Sequence, residues 1–300
     1  MSSRSTGLPV VAGIDGSEQG MDAARWAAAE AARRGAPLRL VRAYHWPPSA
    51  GNEGTDLLRD LARRQLWAAA SAARTVAPGV TVQRRHVDGD AIDVLAAESA
   101  DARMVVVGTR GLGGFTELLV GSVAGGLAVR AVSPVIGVRG ARGDVEQLAT
   151  PDRVRPVVVG VDGSPASEAA LAFAVQTADA WGAPLVAVHS WTDADADHPE
   201  LSLRDLLDAA ETEEKEVLAE RLAGWSGKYP DIRIRREVVR GSAARALRER
   251  SENARLVVVG SRGRGWATRM LLGSVGRALL HHAHCPVAIV RPEEAATTKR

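Results

Sequence analysis

The chain is short of cysteine, of lysine and of long apolar runs, and each shortage narrows its chemistry. A single cysteine, Cys285, leaves no partner for an internal disulfide and fits a reducing compartment. Lysine occurs only as Lys215, Lys228 and Lys299, so the basic residues are nearly all arginine and none of the glycine loops carries a lysine. No Gly-x4-Gly-Lys-Ser/Thr string is present, which excludes a Walker-type phosphate loop. No stretch reaches the roughly 20 apolar residues needed to cross a bilayer. Residues 1–9 are polar and lack the apolar core of a signal peptide. The expected location is the cytoplasm, with no membrane partner. A net charge of +2 over 300 residues gives no electrostatic case for a nucleic-acid partner.

What is present is a pattern written twice. Gly108-Thr109-Arg110-Gly111 is followed after nine residues by Gly121-Ser122, and Gly260-Ser261-Arg262-Gly263 after nine by Gly273-Ser274. Each follows a valine run, Val105-Val106-Val107 or Val257-Val258-Val259. The halves also match at Gly13-Ile14-Asp15-Gly16-Ser17 against Gly160-Val161-Asp162-Gly163-Ser164. Gly35-Ala36-Pro37-Leu38 matches Gly182-Ala183-Pro184-Leu185, and Ser133-Pro134-Val135 matches Cys285-Pro286-Val287. This is a tandem duplication, and each copy is expected to fold as its own unit.

Within each copy, strands alternate with helices. Strands are expected at 9–14, 38–44, 80–87, the valine run and 135–138, and at 156–161, 185–191, 232–239, the second valine run and 287–290. Helices are expected from Ser17 and Ser164, over 55–77 and 202–225, over 91–100 and 243–253, and from Gly121-Ser122 and Gly273-Ser274. Ser164-Pro165 joins a side-chain cap to a proline at the first helical position. Nearly continuous apolar strands with helical crossovers predict an α/β fold: two tandem nucleotide-binding domains, each a five-stranded, mostly parallel sheet flanked by about four helices. The expected domains are 1–143 and 155–293, with a linker at 144–154 and a tail at 294–300.

Both glycine loops and both aspartates fall at carboxyl ends of strands, where such sheets bind ligands. Glycines let backbone approach a ligand closely or take φ > 0, so that successive N–H groups form a nest for anionic oxygens. Gly121-Ser122 and Gly273-Ser274 open helices whose free N–H groups and positive dipole ends attract phosphate.

Gly-x2-Gly-x9-Gly-Ser, with Asp15 or Asp162 ending the first strand, resembles the universal stress protein family in its ATP-binding branch. Asp15-Gly16-Ser17 and His284-Cys285-Pro286-Val287 are further strings similar to that family, and the resemblance spans nearly the whole chain. It implies one ATP per domain, with Mg²⁺ carried by the nucleotide. Adenine would meet Gly13, Ile14 and Ala43, or Gly160, Val161 and Ser190. Asp15 and Asp162 would lie by the ribose and phosphates, where they are also candidate Mg²⁺ ligands. Phosphates would lie on Val107, Gly108, Thr109, Arg110, Gly111, Gly113, Gly121, Ser122 and Val123. In the second copy they would lie on Val259, Gly260, Ser261, Arg262, Gly263, Gly265, Gly273, Ser274 and Val275. No catalytic residue is assigned. The implied function is a nucleotide-dependent regulator in stress or dormancy response. The alternatives are a weak ATPase or autophosphorylating enzyme, and a dimeric scaffold with dispensable nucleotide. Implied partners are an adenine nucleotide, a homodimer of tandem chains and an unknown protein; last-strand pairing would join the two halves through 135–138 and 287–290, and two chains would associate in a further step.

Other clusters read as structural. His281, His282, His284 and Cys285 are absent from the first copy, which speaks against a metal site. His45 and His189 near the ends of the second strands read as edge or packing residues, and Trp26, Trp67, Trp181 and Trp225 on helices as core or interface residues. Asp193, Asp195 and Asp197 read as a solvated loop.

Overall fold

The computed structural model describes residues 7–44, 51–109, 121–139, 154–191, 203–263 and 272–292, with backbone only for 51–55 and 203–210. Arg110, Gly111, Gly113, Gly265, His45, the three loop aspartates and the tail lie outside the described residues, as does all but residue 154 of the linker. The chain divides into two compact units: Met1–Pro151 with Pro286–Ile289, and Asp152–Cys285 with Val290–Arg300.

In the first unit the strands are β1 (Val10–Gly13), β2 (Leu38–Tyr44), β3 (Val82–Asp88), β4 (Met104–Gly108) and β5 (Val135–Val138). The helices are α1 (Glu18–Arg33), α2 (Gly51–Val76), α3 (Ala91–Ser99) and α4 (Ser122–Arg130). The order β3-β2-β1-β4-β5 is parallel throughout, and β10 (Val287–Val290) lies antiparallel on β5 with Ala288 opposite Ile136. Chain order reverses between β1 and β4, which opens a crevice at their carboxyl ends. Val10, Val11 and Ala12 are fully buried, as a strand covered by helices on both faces must be. One face packs through Val11, Val105, Leu95 and Leu127. The other is covered by the alanine-rich α1, whose small side chains allow close approach to the sheet.

The second unit repeats the plan with β6 (Val157–Gly160), β7 (Leu185–Trp191), β8 (Ile234–Arg240) and β9 (Leu256–Gly260), in the order β9-β6-β7-β8. Its helices are α5 (Pro165–Trp181), α6 (Leu203–Lys228), α7 (Ala243–Ser251) and α8 (Ser274–His282). Ser164 caps α5 by accepting from Ser167 N at 3.1 Å, with Pro165 as the first helical residue. Gly182 ends α5 at φ 60°, in the left-handed region that glycine enters at least cost. The fold is α/β and mostly parallel, as the sequence predicts.

The packing expectations for the tryptophans resolve by helix face. Trp26 and Trp181 are buried, and Cys285 is a buried thiol. Trp67 is 59% exposed, so it is not a core residue. Ala62, Leu66, Ala69, Ala70 and Ala73 form the buried face of α2, and Trp67 follows Leu66 onto the outer face. There the Arg84 guanidinium lies 3.5 Å over its ring.

Candidate nucleotide-binding site

In the second unit a pocket opens at the carboxyl ends of β6, β7 and β9. It is lined by Gly160, Val161, Asp162, Ser190, Val259, Gly260, Arg262, Gly263, Gly273, Ser274 and Val275. Every second-unit site residue expected from sequence therefore reaches this pocket except Gly265, outside the described residues, and Ser261. The Ser261 side chain is buried at 3% exposure, and its hydroxyl finds no hydrogen-bond partner. Its backbone does the positioning: Ser261 N donates to Val290 O at 2.8 Å, and Ser261 O accepts from Gly273 N at 3.0 Å. That second bond ties the strand-end loop to the start of α8.

The sequence reading missed Ser167, Val188, Ala243, Leu247 and Gly276 in the lining. Their signals were periodic. Val188 shares a strand face with Ser190, two residues on, and Ala243 and Leu247 are one helical turn apart on α7. Gly276 lies in the first turn of α8 and Ser167 in the first turn of α5.

Asp162 is fixed by the turn it begins. Ser164 N donates to its Oδ1 at 2.9 Å, and the intervening Gly163 sits at φ 77°. Ser164 Oγ donates to Arg262 O at 3.3 Å, binding this turn to the glycine loop. The glycines are needed for space. At Gly263 a Cβ would lie 2.7 Å from Asp162 Oδ2, and at Gly260 it would lie 2.7 Å from the Ala166 carbonyl carbon. Neither residue is in the left-handed region, so close approach, not φ > 0, explains both; this corrects half of the rationale read from sequence. The start of α8 is left open: Gly273 is its N-cap and supplies no side-chain acceptor. The first N–H groups of the helix, at Ser274, Val275 and Gly276, thus face the pocket with the positive end of the helix dipole.

The first unit repeats much of this geometry. Asp15 Oδ1 accepts from Ser17 N at 2.9 Å and Ser17 Oγ at 2.6 Å, across Gly16 at φ 88°. Thr109 N donates to Val138 O at 2.9 Å, and Thr109 O accepts from Gly121 N at 2.7 Å. Gly121 caps α4 without a side-chain bond, leaving Ser122 and Val123 in its open first turn. Gly13 packs beside Val107, since a Cβ there would lie 3.0 Å from Val107 Cγ1. Ile14 N donates to Val41 O at 2.8 Å, holding the end of β1 against β2 two residues before Ala43. Gly108 ends β4 opposite Val138. The units differ beside the loop. Thr109 Oγ1 donates to Gln19 Oε1 at 3.4 Å, whereas Ala166 occupies the matching position in the second unit. Burial lowers the basicity of Arg42 on β2, and the Asp15 carboxylate partly restores it.

Comparison with known proteins places this geometry. The model of the Universal stress protein family matches residues 8–139 and again 153–291. Universal stress protein Rv2005c of Mycobacterium tuberculosis is 39% identical over 293 residues, covering 94% of this chain and 96% of its own. Universal stress protein Rv2623 of the same organism is 39% identical over 302 residues, covering 97% and 99%. A crystal structure of a universal stress protein from Archaeoglobus fulgidus shares the fold with a TM-score of 0.70 at 21% identity, covering 97% of this chain and all of that one. The chain belongs to the universal stress protein family, with two family domains in tandem.

Proposed function

We propose that each unit binds an adenine nucleotide, ATP with Mg²⁺, and that the protein acts as a nucleotide-dependent regulator in a stress response. The observation that carries this reading is the convergence in the second unit on one pocket. A carboxylate, a glycine loop with no room for a Cβ, and an uncapped helix start all face it. Backbone N–H groups at the α8 start suit phosphate oxygens. Asp162 suits a ribose hydroxyl or a Mg²⁺ bridging the phosphates. Gly160, Val161, Val188 and Leu247 supply the flat apolar wall an adenine ring needs. In the first unit Asp15, Thr109, Gly121 and Ser122 stand at the corresponding places.

The direct test is to denature the purified protein and chromatograph the released small molecules, then to titrate nucleotide-free protein with ATP and Mg²⁺ by calorimetry. Adenine nucleotide in the first experiment or saturable heat in the second supports the reading; neither would sink it. Turnover that is lost in an Asp15→Ala/Asp162→Ala double variant would make the protein an ATPase instead. Association of two chains into a homodimer is part of the proposal, and light scattering that shows only a monomer removes that part.

A further inference from the structure

We infer that His189 is a positioning residue of the second-unit pocket, a proton-bearing strut that holds the Val161 carbonyl from one ring nitrogen and is anchored on Glu214 by the other. The inference rests on the nucleotide reading only for its effect on affinity. The strut itself follows from donor and acceptor chemistry.

His189 lies on β7 between the lining residues Val188 and Ser190, yet the residue is only 4% exposed and is not part of the lining. Its Nδ1 is 2.6 Å from Val161 O. A carbonyl oxygen only accepts, so Nδ1 must carry a hydrogen. Its Nε2 is 2.8 Å from Glu214 Oε2 on α6. An ionised carboxylate also only accepts. One further proton must therefore sit between Nε2 and Oε2, as imidazolium with carboxylate or as imidazole with carboxylic acid. In either form both contacts are satisfied. Without that proton the Nε2 lone pair would face a carboxylate oxygen, two acceptors with no hydrogen between them, and the contact would turn repulsive.

The strut acts on a peptide that matters to the pocket. Val161 lines it, and Asp162 follows directly. The Val161 peptide is gripped by β7 from two sides: Val161 N donates to Val188 O at 2.9 Å, and the His189 ring donates to Val161 O. The packed elements carry other charged groups. On α6 these are Lys215, paired with Glu211 at 2.6 Å, and Arg221, paired with Glu168 of α5 at 2.6 Å. On β8, Arg236 lies two residues before Val238, the register partner of His189. On the β6 side it is Asp162 itself.

The first unit has no equivalent proton. Arg42 occupies the matching position, its Nε donating to Gln65 Oε1 at 2.9 Å and its Nη1 to Ala43 O at 2.7 Å. Guanidinium stays charged at every working pH. The duplicated units thus differ in kind at this position: an arginine bonded to Gln65 and the Ala43 carbonyl stands where the second unit has a histidine between Val161 O and Glu214.

The test uses the whole chain, isotopically labelled, with its ring and backbone nitrogens followed by NMR as a function of pH. The Asp162 amide shares its peptide bond with the Val161 carbonyl and should move with the same midpoint as the His189 ring. In Glu214→Gln the carboxamide can donate to a neutral Nε2, so the strut survives without the extra proton and the Asp162 amide should stop tracking pH. His189→Gln, which has no titrating proton, should give the same flat response. With ATP and Mg²⁺, affinity at the second site should fall roughly tenfold across the His189 midpoint, and stay level in both variants. The first site should not respond. Identical Asp162 amide profiles in wild type and variants, or a His189 midpoint with no movement at Asp162, would overturn the inference. Absence of nucleotide binding at every pH would overturn the functional reading instead, and the amide profile would still decide the role of His189.

Discussion

At Gly263 and Gly163, glycine is required for two separable reasons. Gly263 has ordinary backbone, and the obstacle to a side chain is Asp162 Oδ2. Gly163 sits at φ 77°, where a Cβ meets the neighbouring carbonyl. Gly263→Ala should therefore displace the carboxylate and lower nucleotide affinity at the second site roughly tenfold, with little change in folding stability. Gly163→Ala should cost about 1–2 kcal/mol of stability before any ligand is added. Urea midpoints and calorimetric titration of the two variants check both, and the opposite assignment of effects would refute the distinction. The need for glycine was legible from the spacing of the pattern. Which constraint each glycine answers to was not, because that depends on a carboxylate about 100 residues away along the chain. Ser261 shows the same limit: residue type suggested a hydroxyl contact to ligand, but just past the end of β9 that side chain is buried and the backbone is left to position α8.

Among elements, α8 carries the clearest trade between stability and binding. Its N-cap, Gly273, leaves the first N–H groups without a side-chain acceptor, while Ser17, Asp90, Ser164 and Ser242 all cap their helices. Gly273 has room: a Cβ would meet Ser261 O at 3.4 Å and Arg262 Cα at 3.5 Å, ordinary contacts. Gly273→Asp should thus cap the helix and gain a few tenths of a kcal/mol in the nucleotide-free protein. Its carboxylate would also occupy the open N–H groups and repel phosphate, so affinity should drop by at least roughly tenfold. Thermal unfolding without nucleotide and calorimetry with it give the two readouts; a variant that binds ATP as well as wild type would show that α8 does not hold the phosphates. Strands β2, β5, β7 and β10 were legible to the residue, since apolar runs between glycine and proline leave little choice. Helix ends were less so. The helix expected over 202–225 continues to Lys228, past Gly224 and Gly227. Tyr229 N still donates to Trp225 O at 2.9 Å, and their rings stack 6.1 Å apart; Pro230 then follows. Packing in the last turn outweighs the propensity cost of about 1 kcal/mol per glycine, which the apolar pattern alone does not reveal.

For the molecule as a whole, the duplication was plain in the sequence, and so was the fold, because two independent copies of one pattern point to the same α/β plan. What duplication concealed is divergence beside the sites. Gln19 and Thr109 became Ala166 and Ser261, and Arg42, bonded to Gln65, became His189, bonded to Glu214 at a different helix position. These changes lie behind or beside the glycine pattern, where alignment of the halves shows only ordinary substitutions. Two sites built on the same backbone but supported differently should not bind equally. A calorimetric titration of nucleotide-free protein with ATP and Mg²⁺ should therefore approach two nucleotides per chain with unequal steps. Each occupied site should stabilise the native state by about 2.7 kcal/mol when nucleotide is held at 100 times its dissociation constant. Gly263→Ala should weaken one step and leave the other, and the thermal shift at fixed nucleotide should fall by the contribution of that site alone. A single nucleotide per chain that Gly263→Ala abolishes would mean that the first unit, despite its Asp15 turn and its open α4 start, has kept the architecture of the site without its affinity.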